Sequence, residues 1–279
     1  MQIYYYLGSK IMKPQTEVLL EGLVFPEAPR WHDDKLWFAD MHAHHVSTVD
    51  LKGNVNRIVD VPGQPGGLGW LPGGEFLVVS MVDRRLLRLD ANELRMVADL
   101  SHLAPFHCND MVVDGQGRAY IGNFGFDISG PDPNVTSTVL ILVSSDGQAR
   151  VVAEDLLFPN GSVITPDGGT LIVGETWGAR LTAFTITADG SLEDRRIWAQ
   201  LDGAVPDGIC LDAEGAVWVA SPLSAEVLRV REGGEITHRI HVATQAYACM
   251  LGGSEGNTLF VLTAEHVPFS VGSERWPRG

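Results

Sequence analysis

The sequence predicts an all-β fold, a six-bladed β-propeller with an N-terminal strand closing the last blade. Two observations carry this expectation. A pattern recurs six times along the 279 residues, at steps of 40 to 51 residues, the period of four-stranded propeller blades. No stretch sustains a helical period; residues 100–103 make one helical turn at most.

Glu27 marks the phase of the first unit, and Gly67, Asn109, Asn160, Asp207 and approximately Cys249 mark the others. After each marker comes a β-type stretch, then a turn. His32-Asp33-Asp34-Lys35, Asp114-Gly115-Gln116-Gly117 and Asp212-Ala213-Glu214-Gly215 are examples of the turns, whose Gly, Asn and Asp tolerate positive φ and tight hairpins. A second stretch follows, such as Leu36-Trp37-Phe38-Ala39, Phe76-Leu77-Val78-Val79 or Val217-Trp218-Val219-Ala220. It is short, β-branched and aromatic, as suits a strand packed on both faces. The third strands, Arg85-Leu86-Leu87-Arg88-Leu89-Asp90 among them, mostly alternate apolar and polar residues, so one face is wetter. The sixth unit is short at its C-terminal end, with residues 270–279 beyond its last clear strand, while Gln15-Thr16-Glu17-Val18-Leu19-Leu20 is a spare strand near the N-terminus. Adding it to the last blade closes the ring and removes a sheet edge.

Residues 15–279 are therefore expected to form one propeller domain, and residues 1–14 an extension or disordered N-terminus, with Met12-Lys13-Pro14 as a natural translation start. No Pro/Ser-rich linker or charge block divides the chain. The net charge of −15 argues against nucleic acid or an anionic membrane, both of which need basic patches. No apolar run reaches the ~20 residues of a membrane span, and no signal peptide is recognisable. Cys108, Cys210 and Cys249 are odd in number and lack C-x-x-C spacing, so they read as free thiols of a cytoplasmic protein. Oligomeric state is not legible. No serine-hydrolase elbow, zinc-protease helix, phosphate loop or dinucleotide fingerprint is present.

If the repeats are blades, Glu27, Asn109, Asn160 and Asp207 converge on the axis, with Pro26, Pro159 and Pro206 stiffening three of the approaches. Two carboxylates and two amide oxygens suit one hard divalent cation, Ca²⁺ first and Mg²⁺ or Mn²⁺ next, with Zn²⁺ a weaker fit. Such a site keeps positions open for water and substrate, and Asp207 is placed to act as base on the water. His107, His42 and Trp177 are candidate substrate contacts at the channel mouth. Arg30, Arg118 and Arg180 are expected to pair with acidic turns between blades.

Pro26-Glu27-Ala28-Pro29-Arg30-Trp31, Asn109-Asp110, Pro159-Asn160-Gly161 with Pro166-Asp167-Gly168, and Pro206-Asp207-Gly208-Ile209 together resemble the senescence-marker-protein/gluconolactonase/regucalcin family, over residues 18 to 265. The resemblance implies a six-bladed propeller with one catalytic divalent ion in the axial channel. It implies Glu27, Asn160 and Asp207 as metal ligands, Asn109 as a further ligand or substrate contact, and Asp207 as general base. The implied reaction is hydrolysis of a lactone, commonly a sugar lactone, with other lactones or organophosphate esters as substrates elsewhere in the family. Two departures point to a less polar lactone. The segment before Asn109, Pro105-Phe106-His107-Cys108, lacks the arginine that sugar-lactone members often carry there. The loop that opens at Phe124 is long and apolar. The alternatives are a phosphotriesterase or other ester hydrolase on the same metal site, and a binding propeller whose ion is structural.

Overall fold

A computed structural model describes residues 1–7, 16–129 and 133–265. Among these residues, 24 strands form six four-stranded antiparallel sheets. The innermost strands are Pro26–His32, Pro65–Trp70, Cys108–Val113, Pro159–Ile164, Ile209–Leu211 and Gln245–Gly252. They touch in that cyclic order, and the last touches the first, so the sheets stand round an axis as six blades. No helix in the described residues is long and apolar enough to cross a membrane. Residues 100–103 form a hydrogen-bonded turn and no more.

The core lies between blades. Second strands such as Phe76–Ser80, Ala119–Asn123 and Val217–Ser221 are buried along their whole length. This is why they read as unbroken apolar runs. Outer strands such as Val55–Asp60 are largely exposed and carry the charges. Near the axis the innermost strands pack backbone on backbone. A Cβ on Gly161 would lie 2.5 Å from the Ile209 nitrogen and 2.6 Å from the Asp207 oxygen, so only glycine fits there.

Closure uses more of the N-terminus than the sequence suggests. Gln2–Leu7, within the expected extension, is a strand paired antiparallel with Thr258–Ala264, from Gln2 opposite Thr263 to Leu7 opposite Thr258. Thr16–Glu21, close to the spare strand read from the sequence, pairs with Gln2–Leu7 and forms the outer edge. Three consecutive tyrosines conceal the strand because they give no apolar–polar alternation. Tyrosine is amphipathic: the Tyr4 and Tyr5 hydroxyls bond to Gln2 and Glu17 while their rings lie on the sheet. Ile3 is fully buried in a cluster with Leu36, Phe38, Phe260 and Leu262. Ile3→Ala is therefore expected to lower stability by about 2–5 kcal/mol. Denaturant unfolding checks this, and an unchanged midpoint would exclude the strand from the last blade. The Met12-Lys13-Pro14 start and residues 270–279 lie outside the described residues.

The arginines differ from expectation in two cases. Arg118 bonds Asp114 at 2.6 Å and the Ala188 carbonyl of the next blade at 2.8 Å. Arg180 binds Glu175 at the end of a strand of its own blade. Arg30, within the innermost strand of blade one, reaches to Asp110 and the Met111 carbonyl of blade three, at 2.8 and 2.6 Å. All three cysteines are free and buried.

Candidate active site in the axial channel

Near the start of the innermost strand, five of the six blades break strand alternation with a register shift: between Glu27 and Arg30, Pro65 and Leu68, Cys108 and Met111, Pro159 and Ser162, and Ala246 and Ala248. A bulge re-aims the side chain beside it. In blade five the regular strand starts only at Ile209, and Asp207 holds the equivalent place through a 2.9 Å bond from its N–H to the Ala220 oxygen. The residues at this point are Glu27, Gly66, Asn109, Asn160, Asp207 and Tyr247, and all six line one pocket of about 890 Å³, its open mouth included. Counting repeats without the bulges puts the second and sixth markers at Gly67 and Cys249; the structure puts them at Gly66 and Tyr247.

Buried oxygen acceptors at second-strand ends hold three of these approaches. The Asp40 carboxylate accepts the Val24 and Phe25 N–H groups, the latter at 2.7 Å. Glu175 accepts the Leu157 N–H at 2.8 Å, and Ser221 Oγ accepts the Val205 N–H at 3.1 Å. Each fixes backbone two or three residues ahead of Glu27, Asn160 or Asp207.

Asn160 Nδ2 donates to Asp207 Oδ1 at 2.7 Å and to Thr176 Oγ1 at 3.2 Å, and Thr176 Oγ1 donates to the Pro206 carbonyl at 2.7 Å. Both amide hydrogens of Asn160 are thus engaged. Glu27 Oε2 accepts the N–H of Ala28 at 3.1 Å, and Ala28 has φ +47°, the left-handed region that glycine adopts without strain. Asn109 Nδ2 is buried without a hydrogen-bond partner among the described residues. Rotating that amide by half a turn places an oxygen there instead.

Asp110 is a third carboxylate on the pocket wall, bonded to Arg30. The Asn109-Asp110 pair was visible in the sequence, but nothing there distinguished Asp110 from a turn residue. Burial pushes the Glu27 carboxyl well above the usual range, and the charge of Asp207 adds to this. Burial also raises Asp207, and the charge of Asp110 adds against the lowering hydrogen bond from Asn160. Burial raises Asp110 too, against the opposing charge of Arg30. Three crowded carboxylates share one guanidinium. A cation among them would favour their charged forms.

The donor chemistry of Glu27, Asn160, Asp207 and a rotated Asn109 is of the kind that suits a hard divalent ion. The described residues contain no group of three or more His, Cys, Asp or Glu side chains arranged for a metal. The set relies on amide oxygens, which suit a hard ion rather than zinc.

Of the candidate substrate contacts, Trp177 lines the pocket, as does Phe124 of the apolar loop; His42 and His107 are not among its lining residues. His42 packs edge-on against Phe25 at 5.0 Å, with Nδ1 3.4 Å from Gln64 Nε2. His107 stacks on Phe106 at 4.2 Å. Burial lowers the pKa of both imidazoles, and both rings pack against lining residues, His42 on Phe25 and His107 6.0 Å from the Phe124 ring. Phe158 and Tyr247 are wall residues that the sequence reading missed. Phe158 had a signal in its place just before Pro159-Asn160, and Tyr247 had one in its place two residues after Gln245, at the repeat phase.

The sequence profile of the SMP-30/Gluconolactonase/LRE-like region matches residues 25–265. The chain is similar to a 6-deoxy-6-sulfogluconolactonase of Pseudomonas putida, 24% identical over 93% of this chain and 90% of that protein. It is similar to regucalcin of Danio rerio, 26% identical over 85% of this chain and 82% of that protein. Its fold matches the crystal structure of a calcium-binding protein, regucalcin, from Agrobacterium tumefaciens, with a TM-score of 0.76, 22% identity, and coverage of 88% of this chain and 85% of that one.

Proposed function

Because the chain belongs to the SMP-30/Gluconolactonase/LRE-like family, we propose that it is a lactonase that uses one divalent ion, Ca²⁺ first, to open a cyclic ester less polar than a sugar lactone. The observation that carries this reading is the meeting of Glu27, Asn109, Asn160 and Asp207, from four blades, in one apolar-walled pocket. Relatives described as lactonases and as calcium-binding support the reaction and the ion.

Glu27, Asn160 and Asp207 would hold the ion, with Asn109 as a further ligand or substrate contact. When bound, the ion supplies polarisation of the lactone carbonyl and a more acidic water. The protein supplies the rest. Asp207 takes a proton from the attacking water at its carboxylate. Asn160 Nδ2, donating to Asp207 Oδ1, fixes which carboxylate edge faces the substrate, and Thr176 braces the backbone behind it through the Pro206 carbonyl. Gly161 lets blades four and five approach closely enough for this bond to form. The aromatic wall keeps bulk water from the carboxylates, which strengthens their charge interactions.

The test is turnover. With Ca²⁺ present, an alkyl- or aryl-substituted lactone should be hydrolysed with higher kcat/KM than gluconolactone, and both faster than a phosphotriester such as paraoxon. Preference for the phosphotriester would move the assignment to that ester class. Ca²⁺ binding without turnover of any ester would leave a binding propeller.

A further inference from the structure

We propose that Phe124, Phe158 and Trp177 form a subsite for an uncharged apolar substituent on the substrate, an alkyl chain or an aryl ring borne by the lactone. This deepens the lactonase reading and rests on it for the identity of the ring.

Two aromatic groups wall the pocket. Phe124, Phe158 and Trp177, with Ile128 beside them, belong to blades three and four. Across the axis, blades one and six add Phe25 and Tyr247, whose rings lie 4.7 Å apart, with Ala28 and Met41 beside them, and blade two adds Gly66, Gly67 and Met81. The Phe124 and Phe158 rings stack at 4.5 Å, and Phe126 closes behind them, edge-on to Trp177 at 5.6 Å. Aromatic faces on both sides give a slot for a flat or linear apolar group, and Met41 and Met81 beside it adapt to its shape.

The polar inventory points the same way. The described lining residues include no Lys, Arg or His. The Thr176 hydroxyl already donates to the Pro206 carbonyl, and both Asn160 amide hydrogens are used. A polyhydroxylated or anionic substituent would lose water and find aromatic faces, at a net cost.

The backbone supplies an independent sign. Phe158 has φ +60°, where a bulky side chain is strained. The surroundings enforce it: the Phe158 carbonyl accepts the Thr176 N–H at 3.1 Å, and Glu175 holds the N–H of Leu157 at 2.8 Å. Glycine would take this conformation unstrained. A phenyl ring there instead supplies pocket wall two residues before Asn160.

The experiment uses the Ca²⁺-loaded protein and a series of δ-valerolactams, which resist hydrolysis, unsubstituted or with propyl or hexyl chains on the ring. Calorimetric competition gives each Kd. The expected result is tightening by about fourfold per methylene over the first few methylenes, with Phe158→Ala and Trp177→Ala each flattening the series. Phe158→Leu, which keeps an apolar side chain, serves if Phe158→Ala fails to fold, and should flatten it partly. A flat wild-type series, or tighter binding of a gluconolactam than of the hexyl compound, would overturn the proposal. Turnover of the matching lactones is measured in parallel. Hydrolysis with a flat lactam series removes this subsite and keeps the lactonase. A steep series without hydrolysis keeps the subsite and removes the lactonase.

Discussion

Asp207→Asn is expected to lower kcat/KM for lactone hydrolysis by roughly 10²–10⁴-fold, the range for loss of a positioned general base. The substitution keeps the shape of the side chain and one oxygen but cannot take up the proton. Stability should move the other way. Asp207 is a buried carboxyl whose pKa burial has raised to about 8, so a neutral amide removes a cost of folding at neutral pH. The variant should unfold at the same temperature as the parent or higher while turnover collapses, a pairing typical of active-site residues. Asp207→Ala removes both the base and a ligand oxygen. If Asp207 serves as base, Asp207→Asn retains more Ca²⁺ affinity than Asp207→Ala, and neither retains turnover. Activity surviving in either variant would strip Asp207 of that role.

The second large effect is removal of the ion. Chelation should abolish turnover, and added Ca²⁺ should restore it. The electrostatics give a readout that needs no substrate. Glu27 and Asp207 have raised folded-state pKa values, Asp207 about 8, against an unfolded carboxylate near about 4. A group raised in this sense contributes stability that is fully present below the unfolded value and is lost as pH rises through the folded one. The ion-free protein should thus lose stability between about pH 4 and pH 8, and Ca²⁺ should reverse the loss by favouring the charged carboxylates, releasing protons as it binds. Glu27→Gln removes one of the three crowded carboxylates. It should make the ion-free protein more stable at pH 8 and weaken Ca²⁺ binding by at least about tenfold. A melting temperature that ignores both pH and Ca²⁺ would mean that no cation sits among these side chains.

Much of the site was legible because of how the residues recur. Glu27, Asn109, Asn160 and Asp207 occupy the same point of successive repeats, and the structure brings them to one pocket. Each had little meaning alone, since Asn-Gly and Asp-Gly are ordinary turn dipeptides. The two markers that slipped, Gly67 and Cys249, slipped because bulges and unequal strands make the period irregular. His42 and His107 were misplaced for a different cause. A strand-end residue either faces the channel or packs behind it, and the local sequence is the same either way. The N-terminal strand was hidden by three tyrosines whose hydroxyls and rings serve opposite environments.

The sequence alone determined the repeat, the number of blades, the four oxygen-bearing markers and the apolar character of the loop at Phe124. All of these follow from local patterns: strand-forming residues, turn glycines and their spacing. Tertiary structure alone decided that Asp110 and Arg30 meet across two blades, that Asn160 bonds Asp207, that Tyr247 completes the ring of markers, and that Phe158 is held at positive φ to face the pocket. These contacts join residues 47 to 80 positions apart or backbone set by neighbouring blades. Only closure of the ring fixes such distances, because no local propensity acts over that separation.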